Sequence, residues 1–154
     1  MVVVLADWLI ILLNVVVWFG WSVGIGYVGH RLPHAVFERD SRLTRLRAFE
    51  SRGRWYERRL RIKRWKDRLP EAGAFFAGGF SKRRVARAEL ERFVAETRRA
   101  ELVHWVAMAL WPVFAIWNPP WAAAVVFVYA IAANAPCLVV QRYNRARLVH
   151  LIDR

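Results

Sequence analysis

The sequence predicts an all-α integral membrane protein: an N-terminal transmembrane helix, a basic interfacial and cytoplasmic helical segment, and a C-terminal two-helix membrane hairpin. Three observations carry this expectation. Between Trp105 and Val140 there is no Lys, Arg, Asp or Glu, and from Met1 to Gly29 the only charged residue is Asp7. The remaining charges, Lys+Arg 25 against Asp+Glu 12 in all, crowd into His30–Glu101 and the stretch after Val140. The second uncharged block is interrupted near its middle by Asn118-Pro119-Pro120. An ionised side chain at the centre of a membrane helix costs about 2.5–3.5 kcal/mol even on the lenient insertion scale, so such segregation is what a bilayer imposes.

The first span is expected over residues 7–29. Trp8 to Val28 is apolar except for Asn14 and Ser22, and at about 1.5 Å per residue it covers the roughly 30 Å hydrocarbon core. Met1 to Ala6 holds no basic residue, as the start of a cleaved signal would, so a retained helix is expected. Gly24-Ile25-Gly26-Tyr27-Val28-Gly29 matches the dinucleotide GxGxxG pattern but neither follows a strand nor opens the helix of a βαβ unit. The same residues read better as small-residue faces, Gly20-x-x-x-Gly24 with Ser22-x-x-x-Gly26, that let another membrane helix approach, within the chain or in a homo-oligomer. Asp7 and Asn14 share a helical face. A polar residue inside a span is a functional candidate by default, while Asp7 also suits the outer headgroups.

Residues 30–101 form the basic middle. Phe37, Leu43, Leu46 and Phe49, then Trp55, Ile62, Trp65 and Leu69, alternate with Arg and Lys, and the second set falls near one helical face, as in a helix lying among headgroups. Gly53 and Pro70 punctuate the segment, Ala72–Gly79 reads as a flexible stretch, and Ser81 is placed to cap a helix through Val85, Leu90, Phe93 and Thr97 into the membrane arm. His30, His34 and Glu38 recur every four residues, but Pro33 breaks the helix that a metal face would need, so no metal is expected.

The hairpin is expected as spans 102–117 and 120–140, because proline removes a backbone donor and restricts the residue before it. Full crossing and a bent pair that enters and leaves one leaflet both fit its length. Of the 25 basic residues, 21 lie between Arg31 and Arg99, the others are Arg142, Arg145, Arg147 and Arg154, and the Asn118 turn has none. The positive-inside rule then places the middle and the tail 141–154 in the cytoplasm and the N-terminus outside, a multi-pass arrangement in the cell membrane. Trp8, Trp105, Trp117 and Trp121 sit where interfacial aromatics are expected. A net charge of +13 with flanking spans points to anionic membrane lipids or a phosphorylated ligand, and away from nucleic acid. The single Cys137 supports neither a disulfide nor a CxxC site.

Glu96, Arg98, Arg99, Glu101 and His104 gather where a cytoplasmic helix becomes a membrane arm. Glu101 and His104 are three apart, so the carboxylate is positioned to orient the imidazole, and a His so held can take a proton from a hydroxyl. On spacing alone, an interfacial histidine beside a solvated salt-bridge face is the plainer account. The tail, Gln141-Arg142-Tyr143-Asn144-Arg145-Ala146-Arg147, offers donors for phosphate or sugar oxygens and equally suits inner-leaflet anchoring.

Three segments together resemble a known family, the glycosyl-4,4'-diaponeurosporenoate acyltransferases of staphyloxanthin-type carotenoid synthesis. They are Arg52-Gly53-Arg54-Trp55-Tyr56 leading to Ile62-Lys63-Arg64-Trp65-Lys66, then Glu96-Thr97-Arg98-Arg99-Ala100-Glu101-Leu102-Val103-His104-Trp105, then Ala133-Asn134-Ala135-Pro136 followed by Val140-Gln141-Arg142-Tyr143-Asn144-Arg145. Gly29-x-Arg31-x-Pro33 also fits the exit from the first span. The resemblance covers most of the chain from Gly29 onward. It implies a membrane O-acyltransferase that esterifies the sugar of a glycosylated carotenoid acid, or a related glycosyl-terpenoid or lipid. The acyl donor, an acyl-CoA or acyl carrier protein, would be a co-substrate and no cofactor is expected. His104 and Glu101 match the family pattern, which brings the catalytic account forward. Trp65, Lys66, Arg99, Asn134, Gln141, Arg142, Tyr143, Asn144 and Arg147 become candidate substrate-binding residues, with Asn134 or the tail amides stabilising the oxyanion. The competing class is a non-enzymatic scaffold that binds anionic lipids through its basic middle.

Overall fold

The computed structural model describes residues 6–69 and 89–153. Among the described residues, three helices are long and apolar enough to cross a membrane: α1 (Asp7–Arg31), α3 (Leu90–Ala109) with the 3₁₀ turns that continue it to Ile116, and α4 (Pro120–Ile152). The short α2 (Arg54–Arg59) and several 3₁₀ turns make up the described middle, and there is no strand among the described residues. The expected linker Ala72–Gly79 and the cap at Ser81 lie outside the described residues.

α1 ends where the sequence demands. Leu32 precedes Pro33 and is extended, with ψ 140°, because the proline ring disfavours the helical conformation of the residue before it. The Gly24–Gly29 motif is uninterrupted helix. α1 docks along α3 in register: Gly29 against Val103, the Trp21 indole N–H 3.3 Å from the Val106 carbonyl, and the Trp18 ring 5.9 Å from that of Phe114. Gly29 is the glycine that permits this, since a Cβ there would lie 2.5 Å from Val103 Cγ2. At Gly20 and Gly24 an added Cβ would meet no atom of the chain within 4 Å, so that face does not pack within the chain.

The hairpin departs from expectation in three places. The α-helical part of its first arm stops at Ala109 and continues as the 3₁₀ turns Trp111–Ile116, because Pro112 has no N–H to continue the ladder. Trp117 is not an interfacial anchor. It is buried at the tip, where its indole donates to Asn14 Oδ1 at 2.8 Å. Asn118 is buried too and exchanges amide hydrogen bonds with Asn14, 3.0 Å one way and 2.8 Å the other, while also donating to the Phe114 carbonyl at 2.9 Å. The tip meets α1 seven residues in from Asp7, about 10 Å along the helix, and non-helical backbone at such depth is tolerated only when its polar groups are satisfied by protein. Asn14 therefore seals the turn.

The third departure is the tail. α4 runs unbroken through Pro136 to Ile152, about 50 Å, so residues 141–152 are helix and not a loose end. Its last turns organise the basic middle. In place of one amphipathic helix over residues 55–69, the chain turns sharply at Arg52, Gly53 and Arg61, all with positive φ, and packs Tyr56 and Ile62 against Val140 and Tyr143, with Trp65 and Leu69 alongside. Gly53, with φ 72°, sits so near α4 that a Cβ would approach the Tyr143 ring to 2.9 Å.

Gly29→Leu is expected to separate α1 from α3 and lower the melting temperature of the detergent-purified protein by several degrees, on the scale of an overpacked core site. Gly20→Ala and Gly24→Ala should melt like the wild type, which differential scanning fluorimetry would check.

Candidate active site

α3 and α4 bring together two of the residues singled out in the sequence, His104 and Asn134. His104 Nδ1 is 2.9 Å from Asn134 Oδ1, and Asn134 Nδ2 donates to the Ala130 carbonyl at 2.9 Å. A carbonyl only accepts, so the amide nitrogen must face Ala130 and the amide oxygen must face His104. The imidazole proton is then on Nδ1, and Nε2 carries the lone pair. Among the described residues Nε2 has no hydrogen-bond partner. Asn134 is buried and holds the His104 ring through its amide oxygen while one of its two N–H groups is spent on Ala130. The pair lies near the C-terminal end of α1, one residue along from the Gly29–Val103 contact.

Glu101 is not the partner of His104. It is fully buried, and its oxygens are taken by guanidinium groups that the expected i, i+3 pairing overlooked: Oε1 by Arg142 and Oε2 by Arg145, with the Trp105 indole 3.4 Å from Oε1. Two bound cations hold a buried carboxylate far more strongly than a neutral imidazole would.

The ion chain extends further. Arg142 makes a two-pronged contact with Glu50, 2.7 Å from Nε to Oε1 and 2.7 Å from Nη2 to Oε2, and its remaining donors go to the Leu43 and Arg45 carbonyls, each at 2.9 Å. All five N–H groups of Arg142 are thus engaged and none is left for a substrate phosphate. Arg145 also donates to the Thr44 carbonyl, so three consecutive carbonyls, those of Leu43, Thr44 and Arg45, are gathered by one helix. Tyr56 donates its hydroxyl to Glu50. Burial alone would raise the Glu50 carboxyl, but hydrogen bonds from Arg142, Tyr56 and the Arg47 N–H hold it below the usual carboxylate range. Burial and the neighbouring carboxylate push the Tyr56 phenol well above its ordinary value.

Other residues expected to bind substrate have structural partners. Trp65 donates to the Leu60 carbonyl at 2.9 Å, and Lys66 pairs with Asp67. Arg99 pairs with Glu96 at 3.0 Å and lies over the Phe37 ring. The Tyr143 hydroxyl and Arg147 both donate to Glu57 at 2.9 Å. Gln141 and Asn144 are half-buried on α4. His34 lies 3.6 Å from Glu38, and no three His, Cys, Asp or Glu side chains converge as a metal site among the described residues. Glu50 and Arg145 were missed as a pair of anchors. The signal was present in the spacing of Arg142 and Arg145, which share a face of α4.

With this geometry in place, the sequence model of the glycosyl-4,4'-diaponeurosporenoate acyltransferase family matches residues 33–154. The chain belongs to that family. A glycosyl-4,4'-diaponeurosporenoate acyltransferase of Staphylococcus haemolyticus (strain JCSC1435) is 35% identical over 136 residues, 86% of this chain and 79% of the relative. Relatives of the same name from Staphylococcus aureus strains bovine RF122 / ET3-1 and MRSA252 are 29% identical over 140 and 139 residues, 88% of this chain and 83% of each. No solved structure matches it. The protein is a membrane acyltransferase, and the scaffold alternative gives way to an enzyme.

Two predictions follow the ion chain. Glu101→Gln in the acyltransferase leaves the buried Arg145 without its carboxylate and should destabilise the fold by about 3–5 kcal/mol, read as a lost or strongly lowered unfolding transition. Because the folded Glu50 carboxyl is depressed, its contribution is complete above the ordinary 4.5 and is lost as pH falls through the lower folded value. The melting temperature should therefore fall below about pH 4.5, and Glu50→Gln should show a lower plateau with a shallower acid limb.

Proposed function

We propose that the acyltransferase moves a fatty acyl group from a thioester donor to a sugar hydroxyl of a glycosylated carotenoid acid or a related glycosyl-terpenoid, with His104 as general base and Asn134 as its positioning residue. The observation that carries this reading is the His104–Asn134 pair with Nε2 unengaged. A histidine oriented through Nδ1 by an amide oxygen is the arrangement found in Cys-His-Asn hydrolytic sites, where the far nitrogen moves the proton. The names of the staphylococcal relatives supply the acceptor class.

In the step proposed, the sugar hydroxyl oxygen attacks the thioester carbonyl as Nε2 takes its proton. The tetrahedral intermediate then collapses, the C–S bond breaks, and the imidazolium returns the proton to the departing thiolate. Ester and thiol are the products, and His104 ends as it began. The apolar surfaces of α1, α3 and α4 would hold the acyl and terpenoid chains in the bilayer. The chain lies in the cell membrane with its N-terminus outside and its C-terminus in the cytoplasm, an orientation supported by the 21 basic residues between Arg31 and Arg99. The donor then arrives from the cytoplasm. Glu101 is assigned to holding α3 on α4 and takes no proton.

His104→Ala should lower kcat by about 10²–10⁴-fold while inserting and melting normally. Asn134→Ala should lower kcat by a smaller factor and leave KM little changed, because it loosens the base without removing it. Mass spectrometry of pigments and lipids from cells carrying each variant would check both: the deacylated glycoside should accumulate with His104→Ala. Full acylation by His104→Ala would overturn the assignment.

A further inference from the structure

With Arg142 saturated and Lys66 and Arg99 paired, a different set of cations remains available. Arg52, Arg54, Arg58 and Arg59 line one open cavity of about 780 Å³ together with Phe49 and Trp55. All four arginines are exposed, and none has a carboxylate partner among the described residues. The acid within this run, Glu57, is already occupied by Lys63, Arg147 and the Tyr143 hydroxyl, each at 2.9 Å. Four uncompensated guanidinium groups around one concavity repel each other until a polyanion fills it, and the volume falls in the roughly 300–1,000 Å³ range of small-ligand sites.

The cavity is built and not improvised from a loose chain. Its turn is held by Gly53 against Tyr143 and by Arg52, a non-glycine residue in the left-handed region with φ 60°. Trp55 stands edge-on between Phe49, at 5.3 Å, and Tyr56, at 5.1 Å, which fixes its ring at the cavity wall. A fixed, half-exposed indole beside guanidinium groups suits a flat purine flanked by phosphates.

Its distance from His104 selects the ligand. The turn is seated on α4 at Tyr143 and Arg147, whereas His104 is held by Asn134, nine to thirteen residues back, so that the two are at least about 14–20 Å apart along the helix and roughly half a turn apart around it. The pantetheine arm of a thioester has the backbone of roughly four to five extended residues and reaches about 15 Å. Resting on the acyl-transfer reading above, we infer that the Arg52–Arg54–Arg58–Arg59 cavity binds the diphosphate and phosphoadenosine end of a coenzyme A thioester, whose arm runs along α4 to bring the acyl carbon to His104. A carrier protein offers a single phosphodiester and no purine, which leaves most of the four cations and the indole unused. A lipid headgroup has no reason to sit one pantetheine length from the base.

The test titrates the detergent-purified full-length protein with free coenzyme A. Wild type and His104→Ala should bind saturably, and Arg54→Gln or Arg58→Gln should each weaken binding about tenfold, the size of a lost charge-assisted hydrogen bond. Dephospho-coenzyme A, lacking the 3'-phosphate, should bind more weakly than coenzyme A. In turnover the same variants should raise KM for the acyl-CoA by the same factor, with kcat and the acceptor KM unchanged. The proposal is overturned if the arginine variants bind coenzyme A like wild type. It also falls if wild type ignores coenzyme A but captures phosphatidylglycerol in mixed micelles through these arginines, or if it accepts acyl carrier protein and no coenzyme A thioester. Arginine-dependent coenzyme A binding by a protein that transfers no acyl group would sink the catalytic reading and leave the cavity assigned.

Discussion

The chain Glu50–Arg142–Glu101–Arg145 is the constraint on which the rest of the structure depends. It joins three parts of the sequence at one point: the basic middle through Glu50, the membrane arm α3 through Glu101, and the last turns of α4 through the two arginines. Glu101 and Arg145 are fully buried and Glu50 nearly so, and such charges persist only when paired with opposite charge. Arg142 uses every donor, two of them on the Leu43 and Arg45 carbonyls, while Arg145 binds Glu101 and the Thr44 carbonyl through Nη2 alone. Alternating signs along the chain make the cluster electrically neutral.

Position follows from this anchor. Glu101 lies one turn before His104 on α3, and Arg142 lies about two turns beyond Asn134 on α4, so fixing the ion pair fixes the register at which His104 meets Asn134. The hairpin tip has its own, smaller lock in Asn14, Trp117 and Asn118. Between the two locks lie two polar contacts, His104 with Asn134 and the Trp21 indole with the Val106 carbonyl, and the rest of the meeting surface is apolar and aromatic, including Trp18–Phe114 and Trp18–Tyr129. In hydrocarbon those contacts have no hydrophobic drive to favour one register over another, so the polar locks at each end supply the specificity.

The spans were legible because the exclusion of charge from a bilayer is a one-dimensional signal, and so were the breaks at Pro33 and Asn118-Pro119-Pro120. The candidate pair is half legible. His104 and Asn134 were each singled out, but their joining was not, because it spans 30 positions and two helices. Glu101 was assigned to His104 since i, i+3 neighbours are the contacts a sequence displays, while its true partners lie 41 and 44 positions away. The same limit misread the middle segment: periodic apolar residues suggested one interfacial helix, and the positive φ angles at Arg52, Gly53 and Arg61 fold it into turns. Of these only Gly53 announces itself, since arginine carries no preference for the left-handed region.

In the reaction proposed, two substrates of opposite solubility must meet at one base, which calls for separate entries. A glycosylated terpenoid would reach His104 sideways from the bilayer, where α1 and the hairpin expose large apolar side chains such as Phe19, Val125 and Val128. A charged donor cannot follow it, because even one ionised group at that depth is opposed by several kcal/mol, about 2.5–3.5 on the lenient scale. Its charges must stay at the headgroup level while its carbonyl descends, which requires a thin, uncharged arm between cationic site and base. On the proposed reading, the helical extension of α4 beyond Val140 would be a ruler for that arm. It carries the ion chain at Arg142 and Arg145 and seats the arginine turn at Tyr143, so the anchor that sets His104 against Asn134 would also set how far from His104 a donor's charges are held.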